Sequence, residues 1–181
     1  MGRLTYCSNC GARNEVRTVE GRRRRICPQC GTVHYENPLP AATIVAVQDG
    51  RLLLIRRGVA PRKGHWSLPG GFMELRESAE EAARRELAEE TGLVAEGLRL
   101  LGVCPFAGGI RGEVLVLGFA CDVFSGELAP GDDALDARFF PLDELPSVAF
   151  RCHREMIRMY LEHEPVPDGA LQDVGAPPGG P

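Results

Sequence analysis

The sequence predicts an α/β or α+β sandwich preceded by a small metal-binding ribbon, on three observations. Four of the seven cysteines stand in two tight Cys-x-x-Cys pairs near the start, Cys7 with Cys10 and Cys27 with Cys30. Aliphatic, strand-like runs fill the middle of the chain. Among them sits one stretch, SAEEAARRELAEETG, of strong helix formers bounded by helix start and stop signals.

The cysteines come first. Sixteen residues separate Cys10 from Cys27, a spacing suited to a four-cysteine zinc site, and a glycine follows each second cysteine (Gly11, Gly31) where a knuckle must turn sharply. Four thiolates close a tetrahedron, so the Zn²⁺ would be structural. A ribbon of residues 1–37 holds few large aliphatics, and its folding should depend on the metal. The basic run Arg22–Arg25 is expected at the tip of its hairpin, where it could grip nucleic acid but is more often a solvated turn or a contact with a partner subunit. Cys104, Cys121 and Cys152 are scattered and read as reduced thiols.

Residues 38–163 carry nearly all of the periodic apolar pattern. ATIVAVQ and RLLLIRR flank Asp49-Gly50, a two-residue hairpin signal. In the helical stretch, Ser78 followed by Glu81 forms a capping box, and Gly92 supplies the C-terminal stop. LRLLGVC, EVLVLGFACDV and ARFFPL read as strands. RCHREMIRMYLEH reads as a closing helix, with Met156, Ile157 and Tyr160 on one face. Residues 164–181, rich in Pro and Gly, read as a flexible tail.

Composition narrows the function. The 181 residues are 44% hydrophobic and 25% charged, an ordinary globular balance. A net charge of −4 argues against a general nucleic-acid binder but leaves room for a small phosphorylated substrate met by local arginines. No apolar run approaches the ~18 residues of a membrane span, and the first residues lack a signal-peptide core, so a cytoplasmic protein is expected.

Glu86, Glu89 and Glu90 are spaced i, i+3, i+4 and share one helix face within roughly 100° of arc. Carboxylates so crowded repel one another unless cations lie between them, and Mg²⁺ or Mn²⁺ suits oxygen ligands shared with phosphates. A solvated acidic face is the plainer reading of the spacing alone. The wider pattern removes that reading. Gly71, Glu77, Arg85-Glu86-Leu87, Glu89-Glu90 and Gly92-Leu93 fill nine fixed positions across 23 residues, and in this they resemble the Nudix hydrolase family.

The resemblance implies a mixed sheet between helices, an α/β/α sandwich, with the motif as loop-helix-loop. It implies that Glu86, Glu89, Glu90 and the Gly70 carbonyl hold the divalent ions, and that Glu77 steadies the loop or ligates through water. Arg85 would orient a glutamate by ion pairing. The catalytic base would be Glu86, Glu90, or one of Asp132, Asp133 and Asp136 from a downstream loop.

CSNCG, CPQCG and HYENP (His34 to Pro38) resemble a short, ribbon-bearing branch of the family linked to ADP-ribose and FAD hydrolysis. NADH pyrophosphatases also carry a ribbon, but the Ser-Gln-Pro-Trp type motif that marks them is absent from LLGVCPFAGGIRGEVLV. Pro105 stands out of register with the proline of many ADP-ribose enzymes. The expected reaction is cleavage of the diphosphate bridge of ADP-ribose, FAD or NADH to release AMP. A triphosphate or RNA 5′-end hydrolase, or a non-catalytic nucleotide sensor, are the alternatives. A homodimer is expected because many relatives pair.

Arg56, Arg57, Arg62 and Lys63 lie on or after the strand leading to the motif, where arginine forks would suit phosphate. Phe72, Trp66 and Phe106 are candidates for stacking on a base, although core packing is their commoner use. His34, His65, His153 and His163 lack ligand spacing and read as incidental.

Overall fold

The computed structural model describes residues 4–109 and 112–163, so the expected tail lies outside the described residues. The chain divides into two compact units, 1–37 and 38–181.

In the first unit each cysteine pair makes the same knuckle. Gly11 N–H donates to the Cys7 carbonyl (2.9 Å), and Gly31 N–H to that of Cys27 (3.0 Å). Both glycines take positive φ, 76° and 73°, which a side chain would strain. Three short strands complete the ribbon: β1 (Glu15–Val19), β2 (Arg22–Ile26) and β3 (Val33–His34), in that order across an antiparallel sheet. The arginine run is not the hairpin tip expected from the sequence. Glu20 and Gly21, at φ 51° and 75°, make the turn, and Arg22–Arg25 run along β2. The two-residue Glu-Gly turn lets strand pairing resume immediately, and that draws the arginines into the ladder.

The second unit is built on a forked mixed sheet. Its first long strand, β4 (Leu39–Gln48), turns through Asp49 and Gly50, both at positive φ, into β5 (Arg51–Arg57). Two short strands follow, β6 (Trp66–Ser67) and β7 (Gly70–Phe72); then come helix α1 (Ala79–Thr91) and β8 (Leu93–Ala95). β9 (Arg99–Gly109), β10 (Gly112–Cys121), β11 (Phe124–Gly126), β12 (Ala134–Pro141) and helix α2 (Arg151–His163) complete it. The main order is β12-β5-β4-β10-β9; β10 runs parallel to β4 and the other pairs are antiparallel.

Along one edge β4 changes partner. Its end pairs with β5 at Val47 and Gln48, while Ala41–Thr43 pair with β7. The segment between β6 and β7 crosses this fork, held where the Pro69 carbonyl accepts from Ile44 N–H (3.0 Å) and Thr43 Oγ1 (2.7 Å).

The sheet is buried on both faces, as the unbroken aliphatic strands imply. Val45, Val47, Leu52 and Leu54 face one apolar cluster with Met156, Ile157 and Tyr160 of α2. Ala42, Ile44, Ala46 and Leu53 face the other, with Ala82, Ala83 and Leu87 of α1. The result is an α+β sandwich. Among the described residues no helix is long and apolar enough to cross a membrane.

Candidate active site and metal centres

Helix α1 delivers its carboxylates because its two ends are fixed. Ser78 and Glu81 form the reciprocal capping box, and Gly92 closes the helix at φ 73° with its N–H on the Ala88 carbonyl. Leu87, Ala82 and Ala83 are buried against the sheet, which sets the rotation of the glutamate stripe that borders them. Along that stripe exposure falls inward: Glu89 is exposed, Glu86 half-buried and Glu90 5% exposed.

Arg85 organises the outer part of the cluster. Its guanidinium holds Glu77 through Nε (3.1 Å) and Nη2 (2.9 Å), Glu86 through Nη1 (2.8 Å) and Glu89 through Nη1 (3.1 Å). Nη2 also donates to the Phe72 carbonyl (3.1 Å), so the arginine ties helix to loop. The Glu77 carboxylate further accepts from Glu74 N–H, and these contacts hold it below the usual carboxylate range, the Arg85 bond contributing most.

Glu86 lies against Gly71, where any Cβ would collide with the carboxylate. Glu90 reaches the loop, accepting from Gly70 N–H at 2.9 Å. Burial pushes Glu90 up to about 8, with Glu86 and Asp133 adding to the effect, and burial also raises Glu86. The Glu86 and Glu90 carboxylates thus reach neighbouring glycines of the loop, and at Gly70 the backbone admits no side chain. Gly70 has φ 150°, and a Cβ there would strike the Ala42 carbonyl and Thr43. These donors are hard oxygens with unspent lone pairs, which suits a divalent ion of the Mg²⁺ kind.

The downstream aspartates separate. Gly131 N–H donates to the Glu90 carbonyl (3.1 Å) and Ala129 N–H to that of Thr91 (2.9 Å), so residues 129–133 fold over the end of α1. The loop brings Asp133 close enough to act electrostatically on both Glu90 and Arg57. Asp136 instead pairs with Arg138 at 2.7 Å on β12. Asp132 is exposed at the turn, with φ 45°.

The phosphate-binding candidates also divide. Arg57 is half-buried, lies near Glu90 and Asp133 without an ion pair to either, donates from Nε to the Pro61 carbonyl (2.9 Å), and lies over the Phe150 ring (5.2 Å). Arg56 is exposed and tied to the Gly64 carbonyl (3.0 Å). Arg62 and Lys63 are exposed in the turn at residues 58–65, Arg62 with φ 63°. The aromatics pack: Phe72 borders the core, Trp66 meets Phe140 edge-on (4.8 Å), and Phe106 meets Phe150 (5.8 Å).

Sequence reading passed over two side chains. His153 on α2 is 9% exposed, and its Nδ1 accepts from Leu68 N–H at 3.1 Å. Phe150 supports Arg57. A histidine on the buried stripe of the closing helix, beside Cys152 and Met156, was the available signal for the first.

In the ribbon, the four cysteine sulfurs lie within 4.8 Å of one another, with Cys7 to Cys30 at 3.6 Å and Cys10 to Cys27 at 3.4 Å. A tetrahedral ion with sulfur ligands at about 2.3 Å asks for sulfurs roughly 3.8 Å apart, so the cluster fits one. His34 is buried outside the cluster.

Comparison with known proteins covers both units. A family model described as a NUDIX domain matches residues 37–160, and one described as Nudix N-terminal, a zinc ribbon, matches residues 5–36. An ADP-ribose pyrophosphatase of Methanocaldococcus jannaschii is 44% identical over 128 residues, 70% of this chain and 75% of that protein. An NAD-capped RNA hydrolase, NudC, of Pseudomonas aeruginosa is 34% identical over 176 residues, 93% of this chain and 59% of that protein. The chain therefore spans little more than half the length of that relative. A NUDIX hydrolase structure from Nitrosomonas europaea superposes with a TM-score of 0.70 at 29% identity, covering 88% of this chain and 93% of that one.

Proposed function

The chain belongs to the Nudix hydrolases, and on that footing we propose that it cleaves the diphosphate bridge of ADP-ribose, releasing AMP, with Mg²⁺ or Mn²⁺ at the α1 cluster. FAD and NADH are the next substrates in order. The observation that carries the reaction is that Glu86 and Glu90 meet the Gly70–Gly71 backbone while Arg85 ties Glu89 to Glu86. The choice of ADP-ribose rests on the likeness to the archaeal ADP-ribose pyrophosphatase.

Glu86, Glu89, Glu90 and the Gly70 carbonyl would hold the ions, which when bound supply charge neutralisation at the diphosphate and a water acidic enough to attack phosphorus. Glu77 is committed to Arg85 and serves the site by fixing the loop. Arg85 in turn spaces Glu86 from Glu89. Arg57, held by Pro61 and Phe150, presents its remaining donors to a phosphate. The proton of the attacking water passes to a carboxylate, for which Glu86, Glu90 and Asp133 are the groups at hand. In the ribbon, Cys7, Cys10, Cys27 and Cys30 would close a Zn²⁺ site with no open position, a structural role.

A second reading has its own support. The NudC match runs through the ribbon as well as the catalytic domain, which favours an NAD-type diphosphate, free or at an RNA 5′ end. A substrate panel separates the readings: ADP-ribose, FAD, NADH, NAD-capped RNA and nucleoside triphosphates with Mg²⁺, products resolved by chromatography. AMP formed fastest from ADP-ribose is expected. Turnover of triphosphates alone would overturn the diphosphate assignment, and tight nucleotide binding without turnover of any substrate would make the protein a sensor.

A further inference from the structure

Between Trp66 and Gly70 the backbone is tied at four points to other elements. The Trp66 carbonyl accepts from Ala149 N–H (2.8 Å), just before α2. Leu68 N–H donates to His153 Nδ1 (3.1 Å), a contact spanning 85 residues. The Pro69 carbonyl is held by Thr43 and Ile44, and Gly70 N–H by Glu90. Two peptide units therefore separate the His153 ring from the Glu90 carboxylate. Of these anchors, only His153 and Glu90 are ionisable side chains.

We propose that His153 is a positioning residue for the metal centre: its Nδ1, accepting from Leu68 N–H, sets the depth and tilt of the segment that presents Gly70 to Glu90. This rests on the hydrolase reading above. The role requires a neutral imidazole with its proton on Nε2, since a protonated Nδ1 would turn a donor against a donor. The surroundings supply that condition. The ring is buried, stands edge-on to Phe150 at 5.1 Å, and has Arg57 as its charged neighbour.

Phe150 in turn carries Arg57 on its face. The start of α2 thus braces the site twice, once through the loop and once through the arginine.

Partners beyond the ligands of a metal site commonly change affinity or activity by ten- to a hundredfold when removed. The test compares His153→Ala, His153→Gln and His153→Asn in the full chain. Asparagine places its carbonyl oxygen near the position of Nδ1; glutamine places its own near Nε2. Mn²⁺ affinity is read by electron paramagnetic resonance, kcat and KM on ADP-ribose beside it, and Leu68 amide exchange by NMR.

His153→Ala and His153→Gln should weaken Mn²⁺ about tenfold, lower kcat more than KM, and expose the Leu68 amide to exchange. His153→Asn should recover both metal affinity and amide protection. Equal defects in the Asn and Gln variants, or native Mn²⁺ affinity in the Gln variant, would overturn the proposal while leaving the hydrolase reading intact. If the unmodified protein itself neither bound Mn²⁺ nor turned over any diphosphate, both would fall together.

Discussion

At the scale of single residues, Arg85 distinguishes this site from a stripe of solvated glutamates. One guanidinium satisfies three carboxylates and a carbonyl in a planar fork, a geometry lysine cannot reproduce. Arg85→Lys keeps the charge and loses the fork. We expect a ten- to hundredfold fall in kcat, on the order seen for groups that orient metal ligands, with an unchanged melting transition. A kcat within twofold of the original would mean that Arg85 is not organising the cluster. His153 carries a second prediction. Burial, and then Arg57, hold its folded-state pKa down to about 3, against an ordinary value of 6.5. The unfolded chain takes up a proton near 6.5 and the folded chain does not, so this contribution to stability is complete above pH 6.5 and is lost as pH falls toward 3. Denaturant titrations at pH 7 and 4.5 should show the native chain losing on the order of 2 kcal/mol more than His153→Asn. Parallel losses would show that the ring protonates freely in the fold.

At the scale of elements, most of the fold was legible, and the reason is local. The capping box at Ser78 and Glu81, the Asp49-Gly50 turn and the knuckle glycines Gly11 and Gly31 each encode their geometry within a few residues. Ser78→Ala should cost about 1 kcal/mol of stability by removing the cap, read as a shift in denaturation midpoint. The unread parts depend on distant partners. Sequence shows Leu68-Pro69-Gly70 as a turn-rich loop, but not that it bridges a fork in the sheet or that α2 reaches back to it. Nor does spacing distinguish Asp133 from Asp136; the distinction arises because Gly131 and Ala129 cap α1 while Asp136 enters a strand beside Arg138. The arginine run follows the hairpin turn and does not form it. The Glu20-Gly21 pair supplies that turn itself.

At the scale of the whole molecule, the two units hold together by different means. The catalytic unit has two apolar clusters, one on each side of its sheet, whereas the ribbon has four thiols where a core would be. Below about 40 residues a metal commonly replaces the missing core. A strong zinc chelator should therefore release one equivalent of zinc, make Cys7, Cys10, Cys27 and Cys30 reactive to a thiol reagent, and abolish the ribbon's amide dispersion. Signals of the catalytic core should persist. Full dispersion after complete metal loss would show that the ribbon folds without it. The central claim, that the α1 glutamates form a metal-dependent hydrolytic site, is tested most directly by titrating Mg²⁺ against ADP-ribose for the native chain and a Glu86→Gln, Glu90→Gln variant. The account predicts AMP and ribose 5-phosphate in equal amounts, saturating with Mg²⁺, and no metal-dependent product from the folded variant. Equal turnover in the two proteins, or turnover unaffected by removing divalent ions, would contradict it.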